Sequence, residues 1–330
     1  MSAGHQGLFD RRLLVIAGKG GVGKTTIACA LGLIAAQLGK RTLLAEVDGA
    51  GRAAFLLGLQ PAPAGEARAA GPSLSVMSVD GSASLAEYLE IIVPVKRVLQ
   101  AVLTSRIYQY FVAAAPGLKE LMTVGKIWYE AERSDEGRVR WDLVIFDAPA
   151  TGHSLQYLRM PRAAHEAFGG GLVGRESKRI VDLLTDPRRT AINLVTTAEE
   201  MPVNETVEMY QQVRNDLHMP LGLLFVNRTH HAQFNAMDLE KLQEHRATLH
   251  NPRECAIADE VLNRAREELG WTAINRTFMR RLENEIGLPL VQIPFVFTEE
   301  FGVNEVRAIA DQIAAEITPA ARRRLGDGRA

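Results

Sequence analysis

Short runs of apolar residues alternate along this chain with longer amphipathic stretches, and the alternation repeats several times. Nearly unbroken apolar runs are typical of parallel strands buried on both faces, whereas apolar residues three and four positions apart are typical of helices. Seven runs qualify as strands: residues 13–17, 42–47, 74–79, 142–147, 191–197, 221–227 and 289–295. The repeated order of strand, helix and strand predicts an α/β fold, with a doubly wound, mostly parallel sheet that has helices on both faces.

Two stretches interrupt this alternation. Residues from about 84 to 133 are predicted to form several helices, with a kink near Pro94 and a break at residues 116–117. Residues from about 232 to 286 are polar and are predicted to be mostly helical. Residues 60–72 are expected to form a loop, and residues from about 320 to 330 a disordered tail. We therefore predict one domain over residues 1–330 with two helical insertions.

Composition and charge narrow the class of protein. The chain has 330 residues, 47% of them hydrophobic, and a formal net charge of -1, which is typical of a globular protein and not of one that mainly binds nucleic acid. Its two cysteines, Cys29 and Cys255, are far apart and suit a reducing compartment. The apolar run at residues 13–17 is too short for a secretory leader or a membrane span. These features predict a cytoplasmic location.

The strongest chemical signal lies at residues 18–26, GKGGVGKTT, between the first predicted strand and a helix. Glycines in this context let backbone N–H groups surround the β-phosphate of a nucleotide, and the N-terminal end of the helix faces the same anion. Lys24 would reach the β- and γ-phosphate oxygens, and the Thr25 hydroxyl would bind Mg²⁺. The residues predicted to bind ATP here are Gly18, Lys19, Gly20, Gly21, Val22, Gly23, Lys24, Thr25 and Thr26. The domain is thus predicted to be a P-loop ATPase.

A second lysine, Lys19, at the start of this loop makes it resemble the deviant Walker A subclass of P-loop ATPases. That subclass includes the arsenite-pump ATPases, the targeting ATPases for tail-anchored membrane proteins, nitrogenase iron protein, and the Min and Par ATPases. In the subclass the first lysine crosses a dimer interface and contacts the phosphates bound by the partner subunit. The resemblance implies a dimer in which Lys19 supplies catalytic charge in trans, as an arginine finger does. The alternative is a surface lysine beside a loop.

A motif at residues 147–153, DAPATGH, narrows the resemblance. It is similar to the switch II sequence DTAPTGH of the arsenite-pump (ArsA) and tail-anchored-targeting (Get) ATPases, with one threonine missing. Asp147 would hold a Mg²⁺-bound water, and Gly152 would let the segment move when the γ-phosphate leaves. The motif comprises Asp147, Ala148, Pro149, Ala150, Thr151, Gly152 and His153. Asp147 as a helix cap and His153 as a packing residue are the alternatives.

Asp48, at the end of the second predicted strand, resembles by position the switch I aspartate that orients or deprotonates the attacking water. The family usually continues with Pro-Ala-His-Asn, whereas residues 49–52 of this chain are GAGR. Asp48 is the favoured catalytic carboxylate, because an ATPase must position a water. Glu46 is the rival, since side chains two positions apart on a strand share a face.

The resemblance also places the adenine. Asn227 follows a predicted strand and matches the asparagine that the family uses for the base, and its amide can both donate and accept hydrogen bonds. Glu199 lines up with a family glutamate, and the backbone around Pro294 and Phe295 lines up with the loop that closes over the base. A turn or cap role is the alternative for each of these residues.

Departures from the family limit what can be carried over. The eukaryotic targeting ATPases hold their dimer with a CxxC zinc site, and the arsenite-pump ATPases bind the metalloid with three cysteines. This chain has one P-loop, two cysteines and no CxxC, so neither site is present in its usual form. The predicted cofactors are ATP and Mg²⁺, and no zinc is expected.

The first insertion holds more apolar residues than one helix face can bury. They include Leu85, Tyr88, Leu89, Ile91, Ile92, Val93, Val95, Val98, Leu99, Val102, Leu103, Ile107, Tyr108, Phe111 and Val112. In the targeting ATPases this region builds a groove across the dimer that shields a hydrophobic client helix. Packing of the helices on one another and on the sheet is the alternative.

The expected function is that of a homodimer, or a dimer with a related ATPase subunit, in which ATP drives opening and closing to bind or transfer a protein client. A hydrophobic membrane-protein segment is the candidate client. One alternative is the catalytic subunit of an anion or metalloid exporter. Another is a Par- or Min-like positioning ATPase, which would need a basic DNA-binding face or an amphipathic membrane helix. An iron-sulfur reductase is disfavoured by the two distant cysteines. No nucleic-acid partner is expected, and a peripheral membrane contact stays open.

Overall fold

A computed structural model describes residues 7–47, 51–92, 105–106, 115–135, 137–230 and 234–317, without the side chains of residues 91–92 and 151–153. In these parts of the chain, no helix has the length and the apolar content that crossing a membrane requires. The predicted kink at Pro94 and the predicted tail at residues 320–330 lie outside the described residues.

An eight-stranded sheet forms the centre of the molecule, in the order β10-β9-β8-β1-β7-β2-β4-β3. Its strands are β1 (Leu13–Gly18), β2 (Thr42–Val47), β3 (Ala67–Ala69), β4 (Leu74–Val79), β7 (Leu143–Asp147), β8 (Thr190–Thr197), β9 (Leu221–Thr229) and β10 (Leu290–Pro294), while β5 (Ser134–Asp135) and β6 (Arg138–Val139) form a separate hairpin. All pairings in the sheet are parallel except that of β3 with β4. The seven predicted strands and the α/β class are confirmed.

Ten helices connect these strands in the described part of the chain: α1 (Lys24–Gln37), α2 (Arg52–Leu56), α3 (Gly81–Ile92), α4 (Leu118–Glu132), α5 (Thr151–Phe168), α6 (Leu172–Thr185), α7 (Glu200–Gln211), α8 (Ala236–Thr248), α9 (Pro252–Glu285) and α10 (Val303–Ile317). A 3-10 turn (Leu8–Asp10) precedes β1, and a π-helical turn (Gln212–Leu217) continues α7. Helices α3 and α4 lie in the first predicted insertion, and α8 and α9 lie in the second. Gly117, with a left-handed φ of 78°, immediately precedes α4 at the predicted break.

Alternate side chains of each strand enter two cores, as expected for a sheet covered on both faces. From β1, Leu13 and Val15 join the core that is covered by α4, α5, α6 and α7. Leu14 and Ile16 join the core that is covered by α1 and α10. Because the seven main strands run parallel, their carboxyl ends meet at one edge of the sheet, where ligands of such folds bind.

The expectation of a loop over residues 60–72 is wrong for three residues. Ala67–Ala69 form β3, which pairs antiparallel with β4 so that Ala67 faces Met77. The strand carries too few apolar side chains to be recognised from its sequence. It forms because the outer edge of β4 offers unpaired backbone groups, and pairing satisfies them.

Candidate functional site

The glycine-rich segment at residues 18–26 connects β1 to α1 at the carboxyl edge of the sheet. Gly23 immediately precedes α1 and has a left-handed φ of 97°, which favours glycine. A side chain there would also collide with the amide nitrogen of Asn227. Gly20 and Gly21 are exposed, while Val22 is buried beneath them. The segment is thus an open loop at the N-terminal end of a buried helix, an arrangement that binds phosphate groups.

Thr25 and Asp147 meet at the base of this loop. Asp147 is the last residue of β7, and its neighbours in the sheet are Ile16 of β1 and Glu46 of β2. The Thr25 hydroxyl, in the first turn of α1, donates a hydrogen bond of 2.6 Å to Asp147 Oδ2. Two motifs that are 122 residues apart in sequence therefore converge on one point.

The Asp147 carboxyl group is buried, and its other oxygen, Oδ1, has no hydrogen-bond partner in the described structure. Burial raises the pKa of Asp147 from 3.8 to about 7, and this effect outweighs the hydrogen bond from Thr25 and the charge of Lys24, which lower the pKa. A carboxylate oxygen and a hydroxyl oxygen at one point are ligands of the kind that Mg²⁺ prefers. The unpartnered oxygen fits such a cation.

Lys24 lies across the loop. Its ammonium nitrogen donates to the carbonyl oxygen of Lys19 at 3.1 Å. Burial lowers the pKa of Lys24, although the nearby Asp147 carboxylate acts in the opposite direction. This ammonium group can exchange one backbone carbonyl for phosphate oxygens without leaving the loop.

Lys19 makes a different contact. Its ammonium group forms an ion pair with Glu205 on α7, and the two side chains are 30% and 27% exposed. Within one protomer, therefore, Lys19 and Lys24 direct their charges to different partners. The sequence offered no signal for Glu205, because its importance depends only on where α7 packs.

Glu46 is occupied by the start of α2. The side chain is buried, and its Oε1 accepts a hydrogen bond of 3.0 Å from the backbone N–H of Ala53. Burial raises the pKa of Glu46, although the backbone N–H groups of Ala53, Arg52 and Gly51 oppose this rise. Glu46 thus stabilises the segment that follows Asp48. Asp48 itself lies outside the described residues, and its catalytic role stays a prediction.

The predicted switch II segment follows β7 directly. The backbone N–H of Ala148 donates to the carbonyl oxygen of Ile16 at 3.1 Å, which holds the start of the segment against β1. Pro149 is half-buried, Ala150 is exposed, and α5 begins at Thr151. The side chains of Thr151, Gly152 and His153 are outside the description, so their predicted roles stay predictions.

The residues predicted to bind adenine lie around the ends of β8, β9 and β10. The Asn227 side-chain amide donates to the carbonyl oxygen of Val22 at 2.8 Å, which connects β9 to the glycine-rich loop and leaves the amide oxygen as an acceptor. Glu199 is exposed and immediately precedes α7. Pro294 ends β10, and the N–H of Phe295 donates to the carbonyl oxygen of Thr229 at 3.0 Å. Their contact with a base stays a prediction.

A cavity with a volume of about 330 Å³ lies between α3, α4 and α6. Its apolar lining includes Tyr88, Leu121, Trp128, Tyr129, Leu172 and Ile180. Beside it, the buried ammonium group of Lys126 lies 2.6 Å from a carboxylate oxygen of Glu87 and 2.9 Å from one of Glu130. Of the apolar surplus predicted for this insertion, Leu85 is buried, and the side chains from residue 91 to residue 112 lie outside the description.

The two cysteines lie apart. Cys29 is buried in α1, and its thiol contacts the carbonyl oxygen of Ala53 at 3.8 Å. Cys255 is half-buried in α9, and its thiol contacts the carbonyl oxygen of Leu249 at 3.5 Å. Over the residues that the structure describes, no cluster of three His, Cys, Asp or Glu side chains is suited to hold a metal ion.

Comparison with known proteins gives a consistent assignment. Residues 11–170 match the family described as anion-transporting ATPases. The Mycobacterium tuberculosis protein named ATPase BagA is 34% identical over 238 residues, which are 71% of this chain and 69% of that protein. The arsenical pump-driving ATPase of Escherichia coli is 28% identical over 61% of this chain and 36% of its own length. An ATPase ASNA1 homolog of Entamoeba dispar is 27% identical over 64% of this chain and 75% of its own length.

Proposed function

This chain belongs to the anion-transporting ATPase family, and from that premise we propose how its residues hydrolyse ATP and what the hydrolysis drives. It is an ATP-hydrolysing enzyme of the arsenite-pump and tail-anchored-targeting type. We propose that it hydrolyses MgATP as a homodimer and that opening and closing of the dimer binds and releases a protein client with a hydrophobic segment. The single observation that carries this proposal is the contact between Thr25 and Asp147.

We propose that Thr25 and Asp147 together hold the magnesium ion, Asp147 through a water. The hydrogen bond between them brings both oxygens to one point, and Asp147 Oδ1 is buried without a partner. A bound cation would favour the ionised carboxylate, which burial alone disfavours. When bound, magnesium would neutralise charge on the β- and γ-phosphates.

The remaining roles fall to residues of the two loops beside it. Lys24 would contact the β- and γ-phosphate oxygens in place of the Lys19 carbonyl oxygen that it now contacts. Asp48 would orient the attacking water or accept its proton, supported by the hydrogen bond that Glu46 makes with the start of α2. Glu46 is the weaker candidate for the water, because one of its oxygens already accepts the N–H of Ala53.

Lys19 would act on the partner subunit. Within its own protomer, its ammonium group lies on Glu205 of α7, not on the loop that precedes α1. Release from Glu205 would free a charged side chain near the carboxyl edge of the sheet. A second copy facing this edge could then receive that charge at its own phosphates, as with an arginine finger.

The cavity between α3, α4 and α6 supports the client part of the proposal. Its lining is dominated by apolar and aromatic side chains, and Leu172 and Val173 at its rim are 49% and 39% exposed. Exposed apolar side chains beside a cavity favour binding of an apolar ligand. The exporter alternative receives no such support, because Cys29 is buried and Cys255 lies on a different element.

The test mixes two variants, Lys19→Ala and Asp48→Asn. Each homodimer should lose most of its turnover, by a factor of about 10³ or more for the lysine variant. In a mixed dimer, one site combines the intact Asp48 of one subunit with the intact Lys19 of the other, so that site should regain turnover. Lys19→Arg is the matched control, since it keeps the charge. Mixed dimers that form, as shown by two different affinity tags, but stay inactive would contradict a role of Lys19 in trans.

A further inference from the structure

Four aromatic rings lie in sequence at the carboxyl ends of β9 and β10, and we call them the aromatic row: Trp271, His230, Phe295 and Phe297. The ring centroid of His230 is 5.9 Å from that of Trp271 and 5.5 Å from that of Phe295, with interplanar angles of 24° and 20°. Phe295 and Phe297 are 4.7 Å apart at 55°. Offset, nearly parallel rings at these distances are stacked.

The aromatic row is attached to the glycine-rich loop through β9. Asn227 in β9 donates its side-chain amide to the carbonyl oxygen of Val22, and His230 comes three residues later. Phe295 joins the same point from β10, since its N–H donates to the carbonyl oxygen of Thr229. The row therefore begins beside the loop that binds the phosphates in the proposed function.

Helix α9 is held at the same place by Asn275, which is only 6% exposed. Its side-chain oxygen accepts the N–H of His230 at 2.8 Å, and its amide donates to the carbonyl oxygen of Ala198, after β8, at 3.3 Å. Trp271 lies one turn before Asn275 and therefore on the same side of the helix. One residue of the second insertion is thereby placed at the carboxyl edge of three strands.

The aromatic row is open to a ligand. Trp271 is 50% exposed, Phe295 is 39% exposed and Phe297 is 74% exposed. Single exposed apolar residues are ordinary, but three in one row beside a phosphate-binding loop form a continuous apolar surface. His230 Nδ1 is buried without a hydrogen-bond partner among the described residues, and its nearest carboxylate oxygen, on Glu268, is 3.9 Å away.

We propose that the aromatic row receives the adenine ring of ATP, so that Trp271 and His230 are base-binding residues together with Phe295. This inference rests on the proposed function, because it completes the base side of the same nucleotide site. Asn227 lies where its free amide oxygen can accept from the edge of a base that stacks on the row. Contact with Trp271 makes α9 part of the nucleotide site.

The first experiment compares Trp271→Ala with a matched control, Ile274→Ala. Both side chains are about half exposed on α9, but Ile274 does not belong to the aromatic row. Loss of one base-stacking ring should weaken ATP affinity by about 5- to 100-fold in calorimetric titrations. Affinity for inorganic tripolyphosphate, which has no base, should change by less than about twofold in the same variant. Ile274→Ala should behave like the unaltered protein with both ligands.

The second experiment uses fluorescence, since the chain has three tryptophans. ATP should quench emission in the unaltered protein and in Trp128→Phe, and tripolyphosphate should not. Trp271→Phe keeps a ring for stacking, so it should bind ATP nearly normally but lose the quenching.

Two results would overturn the proposal. One is ATP affinity in Trp271→Ala within about twofold of the unaltered protein, with quenching retained in Trp271→Phe. The other is an equal loss of ATP and tripolyphosphate affinity in Trp271→Ala, which would mean damage to the phosphate site. Failure of the proposed function would look different, because the unaltered protein would then bind neither ligand.

Discussion

Replacing Asp147 by asparagine should make the nucleotide-free protein more stable above neutral pH. Asp147 is 3% exposed, and burial raises its pKa from 3.8 to about 7. Asparagine has nearly the same shape, and its side-chain oxygen can still accept the hydrogen bond from Thr25. The substitution therefore removes a buried ionisable group while keeping the packing around it.

The sign follows from proton linkage. Between pH 3.8 and 7 the folded state keeps the proton on Asp147 that the unfolded state has released, so the free energy of unfolding falls as the pH rises. The stability is fully present below the unfolded pKa and is lost as the pH passes the folded pKa. For these two pKa values, the loss between pH 5 and pH 8 is about 2.5 kcal/mol.

The assay is urea unfolding, followed by circular dichroism, in buffers from pH 5 to pH 8 without nucleotide or magnesium. The difference in unfolding free energy between Asp147→Asn and the unaltered protein should rise by about 2.5 kcal/mol over this range in favour of the variant. Asp142→Asn is the matched control. The Arg41 guanidinium holds the pKa of Asp142 at about 2, so Asp142 is ionised throughout the range and its loss should shift stability equally at every pH.

A pH-independent difference between Asp147→Asn and the unaltered protein would refute this reasoning. It would mean that the Asp147 carboxyl is ionised in the folded state at pH 5, and that its surroundings solvate the charge. The unpartnered Oδ1 would then no longer be a sign of a cation site.

Three further outcomes are expected. Lys24→Ala should abolish ATP binding in calorimetry, because its ammonium group is the charge nearest the predicted β- and γ-phosphates, and tight binding by this variant would contradict the P-loop assignment. Glu205→Gln should let the ATP-dependent dimer form at up to about fivefold lower protein concentration, since Lys19 no longer leaves an ion pair, and sedentation-equilibrium profiles identical to those of the unaltered protein would argue against a holding role for Glu205. Arsenite should leave the rate of ATP hydrolysis unchanged, because two separated cysteines cannot form a three-thiolate site, and a several-fold activation would revive the exporter alternative.

Much of the fold was predictable because buried parallel strands require apolar runs. The strands β1, β2, β4, β7, β8, β9 and β10 all appear at the predicted places. The edge strand β3 did not appear in the pattern, since pairing along one edge depends on backbone groups more than on side chains. The hairpin of β5 and β6 was missed for the same reason.

For the candidate site, the sequence determined the local chemistry. The glycines, Lys24 and Thr25 are adjacent in the chain, and Asp147 ends an apolar run, so strand ends and a glycine-rich motif were enough to predict them. Their meeting also followed from the parallel order of strands, because carboxyl ends of parallel strands share an edge.

Only the tertiary structure decided which side chains from other elements meet these residues. Glu205 reaches Lys19 because of where α7 packs, and Trp271 reaches His230 because Asn275 holds α9 against the ends of β8 and β9. Glu46 was left as a rival to Asp48 by strand alternation, and the position of α2 showed that its carboxylate accepts a backbone N–H. Such contacts join residues far apart in sequence, and no local pattern encodes them, since they depend on how whole helices pack on the sheet.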